Sequence, residues 1–280
     1  MAIKKSTIAL ASAFTAGLIA TSAFAGDDGF YQPSYGDLAY PIVTFSGGEL
    51  TNGAREGYSG IYYGFNRDLG QSGWIGRIYG SIGDYDYDYG PGQGPFGNGP
   101  GSVDGDYWTG DIMFGYLWVR NGFDLSVLVG AEYYDRESVT SDPNPNFRGR
   151  DEDDEFGFKV VADIESNDLS NSPLYFALGG SYSTAFDNYY SLARVGYSFD
   201  RFTIGPEAWA LGDDSGDAQR LGGFLKLDFE IGTVATTIIG SGGYQFADDG
   251  FAGEFGEEGG YATIEFRMAL GEPRRGLPMK

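Results

Sequence analysis

Apolar residues alternate with polar or small residues along most of this chain, in stretches of roughly ten residues. In one of them, Phe123, Leu125 and Val127 fall on one face of an extended chain, whereas Asp124 and Ser126 fall on the other. Side chains of a β-strand alternate between the two faces of a sheet, so this period predicts strands with one apolar and one polar face. An apolar face of this kind packs on a core in a soluble sandwich and meets lipid in a membrane barrel.

Turn and loop sequences separate these stretches, and together they predict about twelve strands. The predicted strands are 40–49, 57–66, 73–84, 105–119, 123–135, 154–166, 173–186, 188–199, 201–211, 218–231, 233–246 and 258–270.

The connections alternate between tight turns and longer loops. Tight turns are predicted at 120–122, at Asp200 and at Gly232, and strand count places all three at one end of the sheet; the connection near Asp187, at the other end, is also short. The other end collects long, acidic or glycine-rich connections, which are 85–104, 136–153, 212–217 and 247–257. Short periplasmic turns and long outer loops are typical of outer-membrane barrels. The chain is therefore predicted to be an all-β, antiparallel up-and-down transmembrane barrel of the outer-membrane type, with both termini in the periplasm and a narrow polar lumen.

The polar faces of the predicted strands carry charges of both signs. Phe156 and Phe158 alternate with Lys159 and Asp163 in one strand, for example. A wet barrel interior tolerates such residues and the dry core of a sandwich does not. A secreted β-sandwich with a charged outer face is the alternative architecture.

The first 25 residues have the pattern of a secretory signal peptide. Lys4 and Lys5 precede an apolar run from Ile8 to about Ile19, and a small-x-small site follows at 23–25. The predicted organisation is a signal peptide at 1–25, an N-terminal periplasmic segment at 26–39, a β-barrel domain at 40–270 and a C-terminal tail at 271–280.

The composition of the chain restricts its possible partners and the kinds of functional site it can have. Without Lys4 and Lys5, the only charges of the leader, the chain keeps 16 basic and 40 acidic residues, a net charge of −24. Nucleic acid is an unsuitable partner for such a chain, and outer-membrane lipid is the expected one. The 47 glycines and 42 tyrosines and phenylalanines suit a curved antiparallel sheet.

Histidine and cysteine are absent, which excludes Ser-His and Cys-His hydrolases, disulfides and imidazole or thiolate metal sites. No cofactor and no metal site is predicted.

One charged set stands out among the predicted inward positions. The reversal at Asp200 brings Arg194 opposite Glu207, because antiparallel partners lie equally far from the turn, and Arg220 lies near them on the following strand. We interpret this lumenal charge cluster as a structural tie that compensates buried charge; contact with a ligand or an ion is the alternative. No catalytic residue is predicted, although paired carboxylates leave glycoside hydrolysis open.

The run 84–90 alternates Asp and Tyr and looks at first like a calcium loop. It lacks Gly at the sixth position and Glu at the twelfth, where Tyr89 and Pro95 stand. The run is therefore predicted to be the rim of a strand, with Asp on one face and Tyr on the other.

The order and spacing of several short motifs give the chain a resemblance to the cellulose biosynthesis protein BcsS family, from about residue 45 to residue 268. The stretches that carry it are Gly115-Tyr116-Leu117-Trp118-Val119-Arg120, Val129-Gly130-Ala131-Glu132-Tyr133-Tyr134, Ser141-Asp142-Pro143 with Asn146 and Arg148-Gly149, Ser181-Tyr182-Ser183-Thr184-Ala185-Phe186, Ala193-Arg194-Val195-Gly196-Tyr197, Gly205-Pro206-Glu207-Ala208 with Leu211-Gly212, and Gln219-Arg220-Leu221-Gly222.

The resemblance implies an envelope protein associated with cellulose synthesis and export, without assigned catalytic residues. Its expected partners are subunits of the cellulose synthase or export complex and glucan chains. The predicted function is a non-catalytic outer-membrane accessory in cellulose or exopolysaccharide production. The alternatives are a general small-solute porin and a carboxylate-dependent glycan-modifying enzyme.

Overall fold

Twelve antiparallel strands form a closed barrel in the part of the chain that the structure describes, and they follow one another in chain order around it. The structure is a computed structural model, and it describes residues 38–89, 100–141, 148–167, 172–247 and 255–273. The strands are β1 (Leu38–Asn52), β2 (Ala54–Gly64), β3 (Gly73–Tyr89), β4 (Gly101–Arg120), β5 (Phe123–Ser141), β6 (Gly149–Ser166), β7 (Leu174–Ser183), β8 (Tyr189–Phe199), β9 (Phe202–Gly212), β10 (Asp217–Ile231), β11 (Val234–Ala247) and β12 (Glu257–Pro273). The barrel closes where β1 pairs with β12. The predicted twelve-strand up-and-down barrel is confirmed, and the sandwich is excluded.

Strands β3 to β6 are longer than predicted. β4 begins at Gly101 and β6 at Gly149, because the acidic segments beyond the predicted ends continue to pair. The Asp-Tyr run belongs to β3, with Tyr85 buried inside the barrel, so the prediction of a strand rim is confirmed. β7 is shorter than predicted, because a 3-10 turn at Ala185–Asp187 follows it and gives Phe186 a left-handed φ of 51°.

Tight turns occur at the three predicted places and at the end of the barrel where β1 begins and β12 ends. Gly122, Asp200 and Gly232 take positive φ values of 100°, 56° and 64° there. The asymmetry of the two ends is weaker than predicted, however. β1 and β2 are joined at the other end by Gly53 alone, and the connections 65–72 and 167–173 at the turn end are long. Below, the end with the three tight turns is called the turn end and the opposite one the loop end.

The outer face of the barrel is apolar, as the alternation predicted. Side chains near mid-height are about half exposed or more, among them Ile112, Phe158, Leu178, Ile204 and Leu225. Trp108 and Trp118 flank this band on β4. Ten residues at ~3.3 Å each, tilted by ~40°, separate them by about 25 Å along the barrel axis, the height of the apolar band in outer-membrane barrels. No helix among the described residues is long and apolar enough to span a membrane.

Glycine and aromatic residues are paired across neighbouring strands inside the barrel. Phe45 lies opposite Gly60, and its ring occupies the space that a side chain at position 60 would need. The same arrangement recurs between β3 and β4, in the pairs Gly83 with Tyr107 and Gly105 with Tyr85. The high content of both residue types therefore reflects ring-over-glycine packing inside a curved sheet.

Some sequence predictions lie outside the described residues. They are the signal peptide at 1–25, most of the segment 26–39, residues 274–280 of the tail, and the centres of the long loops at 90–99, 142–147 and 248–254. The strands themselves extend from residue 38 to residue 273, compared with the predicted domain of 40–270.

Candidate functional site

Ion pairs fill the middle of the barrel interior. Among the described residues, six basic side chains are buried there, and each has a carboxylate oxygen at 3.1 Å or less. Charges removed from water need such partners, because an isolated buried charge is strongly unfavourable. The pairs are Arg77 with Asp111, Lys159 with Glu132, Arg194 with Glu207, Arg220 with Glu49, Lys226 with Asp228, and Arg267 with Glu165.

Arg194 and Glu207 lie directly opposite each other on β8 and β9, as the reversal at Asp200 predicts. Arg194 Nε donates to Glu207 Oε2 at 2.8 Å, and both side chains are almost fully buried. The hydroxyls of Ser241 and Tyr261 donate to the two oxygens of Glu207 at 3.0 and 2.8 Å. Glu207 thus accepts three hydrogen bonds from three strands, which is the arrangement of a structural tie.

Arg220 points to a different partner from the one that the sequence suggested. It lies on β10 opposite Trp209, two positions away from Glu207 in register. Its two terminal nitrogens donate to Glu49 on β1 at 2.7 and 2.5 Å, and its Nε donates to Gln245 at 2.7 Å. The predicted ladder of Arg194, Glu207 and Arg220 is therefore two neighbouring pairs; what the cluster does stays a prediction.

A second charged cluster, on β3 to β6, was missed at the sequence level. Asp111 receives Arg77 at 2.6 Å and Lys159 at 3.2 Å, and Lys159 also reaches Glu132 at 2.6 Å. Thr109 donates to the same oxygen of Glu132 at 3.1 Å. The alternation along each strand does place all of these residues on the inward face. Their pairing could not be predicted, because the register across the long β3–β4 and β5–β6 loops was unknown.

One ion pair crosses the lumen. Arg267 on β12 donates to Glu165 on β6 at 3.1 Å and also pairs with its neighbour Glu265. Five strands lie between β6 and β12 in either direction around the ring, so these two side chains meet from opposite walls. Tyr175 adds a hydrogen bond of 2.8 Å to Glu165. Side chains therefore bridge the lumen at this level.

An apolar layer fills part of the barrel interior towards the turn end, although the buried carboxylates of Asp124 on β5 and Glu165 on β6 lie nearer that end. The loop 65–72 folds inward there: Leu69 is buried and its amide donates to the carbonyl of Tyr40 at 2.9 Å, while Asp68 accepts the amide of Gly70 at 3.0 Å. The expectation of a polar lumen is therefore wrong for this layer, because several inward positions hold apolar residues. The layer includes Tyr40, Val43, Leu69, Ile75, Leu117, Leu128, Val161, Ala235 and Ala269.

A narrow cavity of about 70 Å³ remains between the ion pairs and the loop end. Aromatic side chains form much of its wall, and Glu132 and Glu56 contribute carboxylates. Phe255 and Asn188, which belong to loop-end connections, complete it on that side. The aromatic residues of the wall are Tyr79, Tyr107, Tyr134, Tyr189, Tyr190 and Trp209.

Within the described part of the chain, two groups outside the strands have shifted pKa values. Burial raises the pKa of the Asp213 carboxyl in the β9–β10 loop, although hydrogen bonds from Ser215 and Gly216 act in the opposite direction. A hydrogen bond to Glu272 raises the pKa of Arg67 at the turn end. No group of three or more acidic side chains is placed to hold a metal ion among the residues that the structure describes.

Comparison with known proteins places this barrel in a sequence family. The family model for the cellulose biosynthesis protein BcsS matches residues 43–270, which includes nearly the whole barrel. The resemblance seen in the sequence motifs is thereby confirmed. No curated protein matches the chain significantly.

Two solved structures are similar to the chain at low identity. The beta domain of the Bordetella autotransporter BrkA matches with a TM-score of 0.41 and 15% identity, over 83% of this chain and 99% of that one. CdiB from Acinetobacter baumannii matches with a TM-score of 0.28 and 11% identity, over 85% of this chain and 60% of that one.

Proposed function

The chain belongs to the cellulose biosynthesis protein BcsS family, and from this premise we propose that it is a non-catalytic accessory of cellulose production, acting as a closed barrel in the outer membrane. The observation that carries the proposal is the polarity of the barrel, which is apolar outside and ion-paired inside. A protein that folded in water would have the opposite arrangement.

The outer-membrane location has support from two independent features. The apolar outer band is about 25 Å high between its two tryptophans on β4, which matches the hydrocarbon layer. The leader sequence predicts export. The loop end carries the long acidic connections, and we assign it to the cell exterior, which puts the turn end and with it both chain termini in the periplasm.

The filled interior argues against the porin alternative. A porin needs a continuous polar channel, whereas here the Arg267–Glu165 pair crosses the lumen and a buried apolar layer occupies part of the interior. The same features argue against threading of a glucan chain through this barrel. The protein is therefore proposed to assist export by contacting the cellulose machinery and the emerging polymer, not by conducting it.

The enzymatic alternative has weaker support than the accessory role. The buried carboxylates hold arginine, lysine or hydroxyl partners, so they are used in cohesion of the barrel. A glycosidase needs one protonated and one ionised carboxyl group flanking a substrate cleft. Single Asp or Glu substitutions that leave the fold intact should therefore leave glycan products unchanged.

Cell fractionation tests the location. The proposal expects the protein in the outer-membrane fraction, with a gel mobility that changes on boiling, as folded barrels resist the detergent and unfolded ones do not. Recovery of a dissolved monomer from the periplasm would overturn the location.

Gene deletion tests the accessory role. We expect less cell-bound cellulose in the deletion strain and recovery on complementation with the wild-type gene. Unchanged cellulose output and attachment would reject the role. Steady ion conductance of the purified barrel in planar bilayers, without any cellulose phenotype, would favour the porin.

A further inference from the structure

Two almost fully buried residues that line the cavity at the loop end each carry a polar atom without a hydrogen-bond partner among the described residues. Oε2 of Glu132 and the indole N–H of Trp209 have no hydrogen-bond partner among the described residues, and both side chains are at least nine-tenths buried. Both residues line the cavity, from β5 and β9, and a ligand reaches the two covered atoms when neighbouring side chains of the wall shift. A buried hydrogen-bond acceptor or donor without a partner is energetically unfavourable. Each of these two atoms therefore favours a ligand that supplies the missing hydrogen bond.

The chemistry of the two atoms specifies the ligand class. A carboxylate oxygen requires a donor, and an indole N–H requires an acceptor. Hydroxyl groups serve as both. The cations on the cavity wall are already paired, since Arg220 holds Glu49 and Lys159 holds Asp111 and Glu132. An anionic ligand would have to displace these carboxylates, whereas a neutral polyol would not.

The shape and lining of the cavity agree with a sugar ring. A site of about 70 Å³ holds roughly five to seven waters at ~10–15 Å³ each, or about 150–200 Å³ of liquid at ~30 Å³ per water. That volume is comparable to one monosaccharide and too small for a chain. Tyr107 and Tyr134 stack on each other at 5.7 Å and Tyr190 meets Trp209 edge-on at 5.5 Å, so two aromatic pairs contribute apolar surface to the wall.

We propose that this cavity binds a single neutral pyranose unit at the end of a glucan chain, with Glu132 accepting from one hydroxyl and the Trp209 N–H donating to another. The assignment rests on the proposed function for its source of ligand, the cellulose chain. Because the cavity binds the end of the glucan chain and the lumen is closed, the barrel anchors the polymer at the cell surface.

Titration calorimetry of the purified, folded barrel with cellotetraose tests the proposal. The wild type should bind saturably, and Trp209→Phe, which keeps a ring and removes the N–H, should bind about 3- to 10-fold more weakly. Glu132→Gln should weaken binding about 10-fold or more, because it removes a charged acceptor. Trp118→Phe is the matched control on the outer face and should bind like the wild type.

The outcomes separate this proposal from the accessory function. Absence of cellotetraose binding by the wild type, or equal binding by wild type and Trp209→Phe, would overturn the cavity assignment even if deletion of the gene lowers cellulose. Tighter binding of tetragalacturonate than of cellotetraose would overturn the neutral ligand class. Gel mobility before and after boiling shows whether each variant is folded, and Trp209→Phe keeps the test decisive if Glu132→Gln does not fold.

Discussion

Replacing Glu207 by glutamine should destabilise the barrel strongly. The Glu207 side chain is fully buried and accepts from Arg194, Ser241 and Tyr261 at 2.8, 3.0 and 2.8 Å. Glutamine keeps one acceptor oxygen but leaves the guanidinium of Arg194 without a counter-charge. Removing one partner of a buried pair costs about 3–5 kcal/mol, and the retained oxygen places the expected loss near the lower value, about 3 kcal/mol.

Urea unfolding of the barrel in lipid vesicles measures this loss. Glu152→Gln is a matched control, because Glu152 is largely exposed and holds Arg150 at 2.6 Å on the surface, where an ion pair contributes about 0–1 kcal/mol. The double variant Arg194→Met with Glu207→Gln should be more stable than Glu207→Gln alone, since it removes the orphaned charge. A loss for Glu207→Gln no larger than that of the control would refute the view that the pair holds β8 to β9.

Three further predictions follow from the exterior, the cross-lumen pair and a loop. Phe158→Arg, on the outer face at mid-height, should cost about 2–4 kcal/mol in vesicle unfolding, and a negligible effect would contradict lipid contact there. Replacing Arg267 and Glu165 together by alanine should leave a folded barrel with more frequent conductance events in planar bilayers than the wild type. Equal conductance of variant and wild type would show that the apolar layer alone blocks the passage of ions. Burial raises the pKa of Asp213 above its unfolded value of ~3.9, so its ionisation opposes folding. The unfolding free energy of the wild type relative to Asp213→Asn should therefore fall as pH rises from below ~3.9 through the raised pKa, and a difference that rises with pH would contradict the assignment.

The strand number and the lipid face could be predicted from the sequence because both depend on local signals. A period of two assigns each residue to a face, and glycine or polar residues at tight turns separate the strands. The partner of Arg194 was also predictable, because a short reversal at Asp200 fixes the register of β8 against β9. A tight turn leaves almost no freedom in the pairing.

The remaining contacts of the interior depend on register across long loops and on closure of the barrel. Arg220 meets Glu49, 171 positions away in sequence, and Arg267 meets Glu165 from the opposite wall. No local pattern determines such distances. The apolar layer was missed for another reason: Leu128 shares its face with charged residues, and alternation alone does not show which inward positions lie near the turn end.

The buried ion pairs also fix the register of the strands. A shift of one residue turns every inward side chain outward. In β10 such a shift would move Arg220 and Lys226 into the membrane, at about 2–4 kcal/mol for each basic residue near mid-height, and Glu49 on β1, the partner of Arg220, would remain inside unpaired. The apolar layer imposes no such penalty, because Leu128 or Val161 is as stable against lipid as inside the barrel. The buried ion pairs therefore favour one strand register over the alternatives. The apolar layer then fills part of the interior of the barrel that has this register.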